Sequence, residues 1–147
     1  IKMKTNKGKL VEWFSAERMH DMSKNWLSDL NFIKDEQLFL EELITNYTQK
    51  IIDNNDLERA QTATTALYRT KRGNEKLINS LIKHEQELEV IVNGIDELEE
   101  ENKYKKEHRE FTSKISAFYH DYKAVKFEIF SLIKDLMKTD KMTHLIK

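Results

Sequence analysis

The residues of this chain best suited to chemistry are its histidines, His20, His84, His108, His120 and His144, and the carboxylates near them. Glu17-Arg18-Met19-His20 has the Glu-x-x-His spacing with which a helix offers a carboxylate and an imidazole from one face. A carboxylate-bridged two-metal bundle needs two such pairs and two further inward glutamates. This chain has one pair, and His84-Glu85-Gln86-Glu87 runs in the reverse order. His120 is two residues from both Phe118 and Tyr122, which takes it off the apolar face of its helix. The expectation is therefore boundary or surface histidines, with no metal site and no cofactor.

Other chemistry finds still less support. There is no Gly-x-Ser-x-Gly elbow, no phosphate-cradling glycine loop and no dinucleotide fingerprint. The absence of cysteine removes disulfides, thiolate ligands and thiol nucleophiles. No catalytic residue is assigned, and the protein is expected to be no enzyme.

Two basic clusters have the side chains that phosphate contacts require: Arg69, Lys71, Arg72 and Lys76, and Lys103, Lys105, Lys106 and Arg109. Glu99, Glu100, Glu101, Glu107 and Glu110 flank the second and oppose a polyanion. The first stands mid-helix with no turn-and-recognition-helix pattern beside it. A net charge of −1 agrees that nucleic acid is an unlikely partner. Lys9-Leu10-Val11-Glu12-Trp13-Phe14 is a weak surface-seeking stretch for an anionic membrane. No apolar run is long enough to cross a bilayer, and a cytoplasmic location is the default expectation.

The elements that must position these residues are helices. The chain has no proline, and its three glycines are Gly8, Gly73 and Gly94, so few connections are available. Tyr104, His108, Phe111, Ile115, Phe118, Tyr122, Val125, Ile129, Leu132 and Leu136 alternate steps of four and three, the period of a buried helix face. Trp26, Leu30, Ile33, Gln37, Leu40, Ile44, Tyr47 and Ile51 repeat it. Between them Leu57, Ala60, Thr64, Leu67, Lys71, Asn74, Ile78, Leu81 and Leu88 make a poorer seam, with small residues from Thr62 to Ala66. The spacing predicts an all-α fold: an antiparallel, coiled-coil-like bundle of three long helices. A short additional N-terminal helix forms if residues 10–22 fold back. Residues 1–9 read as a basic arm, 10–140 as one bundle domain and 141–147 as a tail.

Asp53-Asn54-Asn55-Asp56 marks the first turn, with Asn55 and Glu58 spaced as a capping box. The seam keeps phase through Gly73 and Gly94, so the second helix is expected to continue to the polar run Glu99–Lys106 and turn near Asn102. That places His84 level with residue 121, grouping His84, His120 and Asp121 with Trp26 near by. Three long helices and an early tryptophan, Trp26, make the chain similar to spectrin repeats in architecture. The third helix departs from them in having no matching tryptophan.

Function is carried, on this reading, by surplus aromatics. Phe32 and Phe39 lie seven apart, off the main seam of the first helix, while Tyr119 and Phe130 widen the third. A second apolar face suits a protein partner or another copy of the chain. The candidate interaction residues are Phe32, Phe39, Arg69 and Arg72, in a binding or scaffold bundle. The alternatives are a metal- or ligand-binding bundle, or a weak nucleic-acid or membrane-surface binder.

Overall fold

The computed structural model describes residues 15–92 and 98–146, with side chains over 15–89 and 101–139. The basic arm at residues 1–9, Gly94 and the side chains of 141–147 lie outside these. Among the described residues four helices follow in order: α1 (Ala16–Asn46), α2 (Thr48–Asp53), α3 (Leu57–Val92) and α4 (Leu98–Ile146). The three long ones pack as an all-α bundle, as the spacing requires.

The Arg18 amide donates to Ser15 Oγ at 3.2 Å, which caps α1 and satisfies one free donor of its first turn. Residues 16–22 continue this helix and do not fold back. The helix stops at Asn46, where Thr45 and Thr48 hydroxyls donate to the Glu41 and Thr45 carbonyls. Residues 10–14, the rest of the stretch expected to form a short N-terminal helix, lie outside the described residues; an unexpected short helix, α2, follows α1.

The turn after α2 corrects the capping-box reading. Asn55 has φ 58°, and its amide donates to the Ile52 carbonyl while that of Asp56 donates to Ile51. This pair of bonds is a Schellman closure, with asparagine in the left-handed position that glycine usually fills. Asn55 thus ends α2 and does not begin α3.

The second turn also differs from expectation. Residues 98–106 belong to α4, not to α3, so the turn does not lie near Asn102. From Glu101 to Lys106 the polar run is a solvated helix face: Asn102, Lys103 and Lys106 are exposed, Lys105 pairs with Glu101 at 3.2 Å, and Tyr104 turns inward. At the other end α4 continues past Thr139 to Ile146.

The helices build two compact units, each using all three long helices: residues up to Asn31 with Glu75–Ser116, and Phe32–Asn74 with Ala117–Lys147. The second has the larger dry core, from Leu40, Ile44, Ile51, Ala60, Ala63, Leu67, Tyr122, Val125, Ile129, Leu132, Ile133 and Leu136. Gln37 Nε2 donates to Thr70 Oγ1 at 3.2 Å, Asn74 Nδ2 lies 3.4 Å from Gln37 Oε1, and Thr70 donates to the Leu67 carbonyl at 2.7 Å. Buried polar groups bonded to one another in this way fix how α1 and α3 register. Pairs Glu41–Lys71 and Gln37–Asn74, then Arg59–Asp135 and Arg69–Asp121, descend in opposite senses and make successive long helices antiparallel.

The α4 seam is buried from Tyr104 to Leu136, with Phe118 half-buried. That of α3 is shifted from expectation: Ala63 and Thr70 are buried, while Thr64 is exposed and Lys71 half-buried beside Glu41. Its phase runs through Ala60, Ala63, Leu67, Thr70, Asn74, Leu81, His84 and Leu88. Gly73 lies inside an unbroken α3, against the Phe118 ring.

Candidate functional site

In the unit containing residues 75–116, the α3 and α4 seams bring His84 and His108 together. Both imidazoles are buried, and His84 Nε2 lies 3.2 Å from His108 Nδ1. Tyr104 stacks on His84 with ring centres 3.8 Å apart and planes 4° from parallel. Phe111 tilts against His84 at 4.9 Å, and Trp26 of α1 lies 4.8 Å from His108. Met19, Leu88 and Tyr104 form the adjoining apolar cluster, and buried Ser23 adds a hydroxyl next to that of Tyr104 without a well-formed hydrogen bond.

Burial governs the protonation of this group. It lowers the pKa of His84, against the opposing pull of Glu87 and Glu85. It lowers His108 to about 4, with the neighbouring His84 pushing the same way. Both rings are therefore neutral at pH 7. Burial, with Glu85 next, raises the Tyr104 phenol and keeps it protonated.

His84 Nδ1 points to the edge of the cluster, where Glu107 Oε2 lies 3.5 Å away. This is too long for a good hydrogen bond, and His84 Nδ1 has no partner. Glu87, one turn along α3, comes to the same place. His84, Glu87 and Glu107 each offer one ligand atom, all within 4.8 Å of one another. Burial raises the Glu87 pKa, and the adjacent Glu107 carboxylate raises it further. Glu85 reaches α1 instead, where His20 Nδ1 lies 2.6 Å from its Oε2.

Glu17 and His20 do not act as a pair here, since His20 reaches across to Glu85. His84, His120 and Asp121 are not brought together: His84 meets His108, His120 is exposed, and Asp121 lies 3.7 Å from Arg69. Reading from sequence missed His108, Tyr104, Glu87 and Glu107. The available signal was His108 itself, a polar residue at a seam position.

The predicted interaction residues lie in the other unit. Phe32 and Phe39 are 68% and 55% exposed. They lie one helical turn either side of Glu36, which accepts hydrogen bonds from Tyr122 Oη at 2.7 Å and Lys126 Nζ at 3.0 Å. Burial tends to raise the Glu36 pKa, but these bonds and the Lys126 charge outweigh it and hold it below the usual range. Phe130, one turn past Lys126, is 45% exposed, and Met137 two turns further is exposed as well. The aromatics thus border one α1–α4 seam. Arg69 pairs loosely with Asp121 and Lys71 closely with Glu41, while Arg72 is exposed. Carboxylates thus oppose two cations of that basic cluster. The small residues Ala63 and Ala66 line an open groove of about 600 Å³ with Ala124, Val125, Arg69 and Asp121.

No described helix is long and apolar enough to cross a membrane. No protein-family model, curated protein or solved structure matches this chain.

Proposed function

We propose that this chain is a non-enzymatic binding bundle that self-associates through the aromatic border of the α1–α4 seam in the Phe32–Asn74 and Ala117–Lys147 unit. The observation that carries the reading is the exposure of Phe32, Phe39 and Phe130 on either side of one ion pair. A phenylalanine buries about 150–250 Å² when covered, so these three with Met137 offer roughly 300–500 Å² of unsatisfied apolar surface. That equals the largest patch of an ordinary monomer, about 300–600 Å², and could form the centre of a standard interface of about 800 Å² per partner. Aromatic side chains dominate the centres of such interfaces, ringed by polar groups. A second copy is the natural occupant, since one self-complementary patch makes a closed dimer about a two-fold axis.

Light scattering at low and high salt tests this. A dimer that persists in high salt supports an apolar interface, and Phe39→Ala or Phe32→Ala should return it to monomer. A monomer of 17.6 kDa at every concentration overturns the self-association reading.

A further inference from the structure

The His84 edge is independent of the aromatic face and asks for a different ligand. We propose that His84 Nδ1 and one carboxylate oxygen each from Glu87 and Glu107 bind a single divalent transition-metal ion, zinc by preference, with a fourth position open to water.

Three features point to a cation. The first is His84 itself: a buried imidazole with one nitrogen unpartnered and directed at a carboxylate. In the tautomer that donates from Nε2 to His108 Nδ1, the ring presents a lone pair at Nδ1 towards Glu107, an arrangement that a cation between them would satisfy. The second is the pairing of Glu87 with Glu107, two carboxylates brought together by different helices. Lys103 acts on Glu87 as well, in the opposite sense to Glu107 and more weakly. The third is the bond from His84 to His108. Metal-bound histidines almost always use their second nitrogen to donate to an outer acceptor that fixes tautomer and ring orientation. His108 is in that position, itself fixed by Trp26.

The donor set selects the ion. One imidazole among two carboxylates is too soft for magnesium or calcium, which take all-oxygen cages. Three protein ligands of the nitrogen and oxygen type with one open position are a recurrent zinc arrangement. Tetrahedral zinc at about 2.0–2.2 Å from each ligand holds them about 3.4 Å apart, so the His84–Glu107 side, at 3.5 Å, already fits and the other sides, at most 4.8 Å, must close by up to about 1.4 Å. Glu87 is exposed and Glu107 half-exposed, so both can move inward while His84 stays fixed.

The metal-stripped full chain should be titrated with Zn²⁺ by calorimetry and with Co²⁺ by visible absorption. One ion per chain is expected, with cobalt bands of low-symmetry four- or five-coordination. Glu87→Gln and Glu107→Gln should each weaken binding at least tenfold, and His108→Gln about tenfold through the lost outer bond. His120→Gln, which alters an exposed histidine outside the cluster, should leave affinity unchanged. Circular dichroism of each variant separates lost binding from lost fold, and the exposed position of Glu87 makes Glu87→Gln the decisive variant. Absence of saturable binding at about 100 μM metal overturns the proposal, as does binding of the same affinity in folded Glu87→Gln and Glu107→Gln.

Discussion

Acid should weaken this protein well above the range in which its carboxylates titrate, because His108 is buried as a neutral ring. Its pKa falls to about 4, chiefly by burial and then by His84, against about 6.5 for a solvated imidazole. Above pH 6.5 the folded and unfolded chains both hold it neutral, and its contribution to stability does not change. Below pH 6.5 the unfolded chain takes up a proton that the folded chain refuses until about pH 4. Stability is therefore lost as pH falls through that window. At about 1.4 kcal/mol per pH unit the loss from pH 6.5 to 4.5 is about 3 kcal/mol. With a urea m-value near 2 kcal/mol/M this moves the midpoint by about 1.5 M. His84, also lowered, adds to the loss. Urea unfolding followed by circular dichroism in EDTA, from pH 7.5 to 4.5, measures it for the parent chain and for His108→Gln. The variant should show a shallower slope by about one proton. A parent midpoint that stays level from pH 7 to pH 5, or an identical slope in folded His108→Gln, would refute the argument.

Two further outcomes follow from the packing. Gly73→Ala should stabilise by about 1 kcal/mol through helix propensity, raising Tm by roughly 3 °C. An added Cβ would lie 3.8 Å from Phe118 Cδ1 and Cε1, an ordinary contact, so a lower Tm would show that the helices are closer than described. Glu87→Gln in EDTA should raise Tm at pH 7, since a carboxyl whose pKa is raised on folding favours the folded chain only while protonated, and loses that advantage as pH rises. The same change should abolish any Zn²⁺-induced rise, and a Tm below that of the parent in EDTA would contradict the Glu87–Glu107 repulsion.

The three helices were legible because Leu30, Leu40, Ile115, Ile129 and Leu132 occupy positions that only one face of a helix brings together. The α3 seam was harder to read. Thr70, Asn74 and His84 are buried polar residues at its core positions, and a search for apolar spacing moved the stripe to Thr64 and Lys71. The site depended on the second turn. A fourth helix that begins by Leu98, not near Lys103, moves the level opposite His84 from residue 121 to His108. No proline marked that turn, and the charged run after it resembled a loop, although Tyr104 inside the run is buried. Phe32 and Phe39 were identified as lying off the seam because they fall on neither of its steps, and their exposure follows from that.

The distribution of unsatisfied polar atoms distinguishes the two units further. Ser23 Oγ, His84 Nδ1, Glu85 Oε1, Tyr104 Oη and His108 Nε2 are buried without a hydrogen-bond partner, all in the unit that holds Glu75–Ser116. In the other unit Gln37 and Thr70 bond to each other. A buried polar atom left without a partner costs about 1–3 kcal/mol, which favours a water or an ion at such positions. Clustered orphans of this kind also differ from random packing faults, which an apolar substitution would remove at little expense. Tyr104 stacks on the His84 ring and Phe111 tilts against it, which holds the ring plane in place. The metal reading keeps that plane and asks only for the inward turn of exposed Glu87 and half-exposed Glu107.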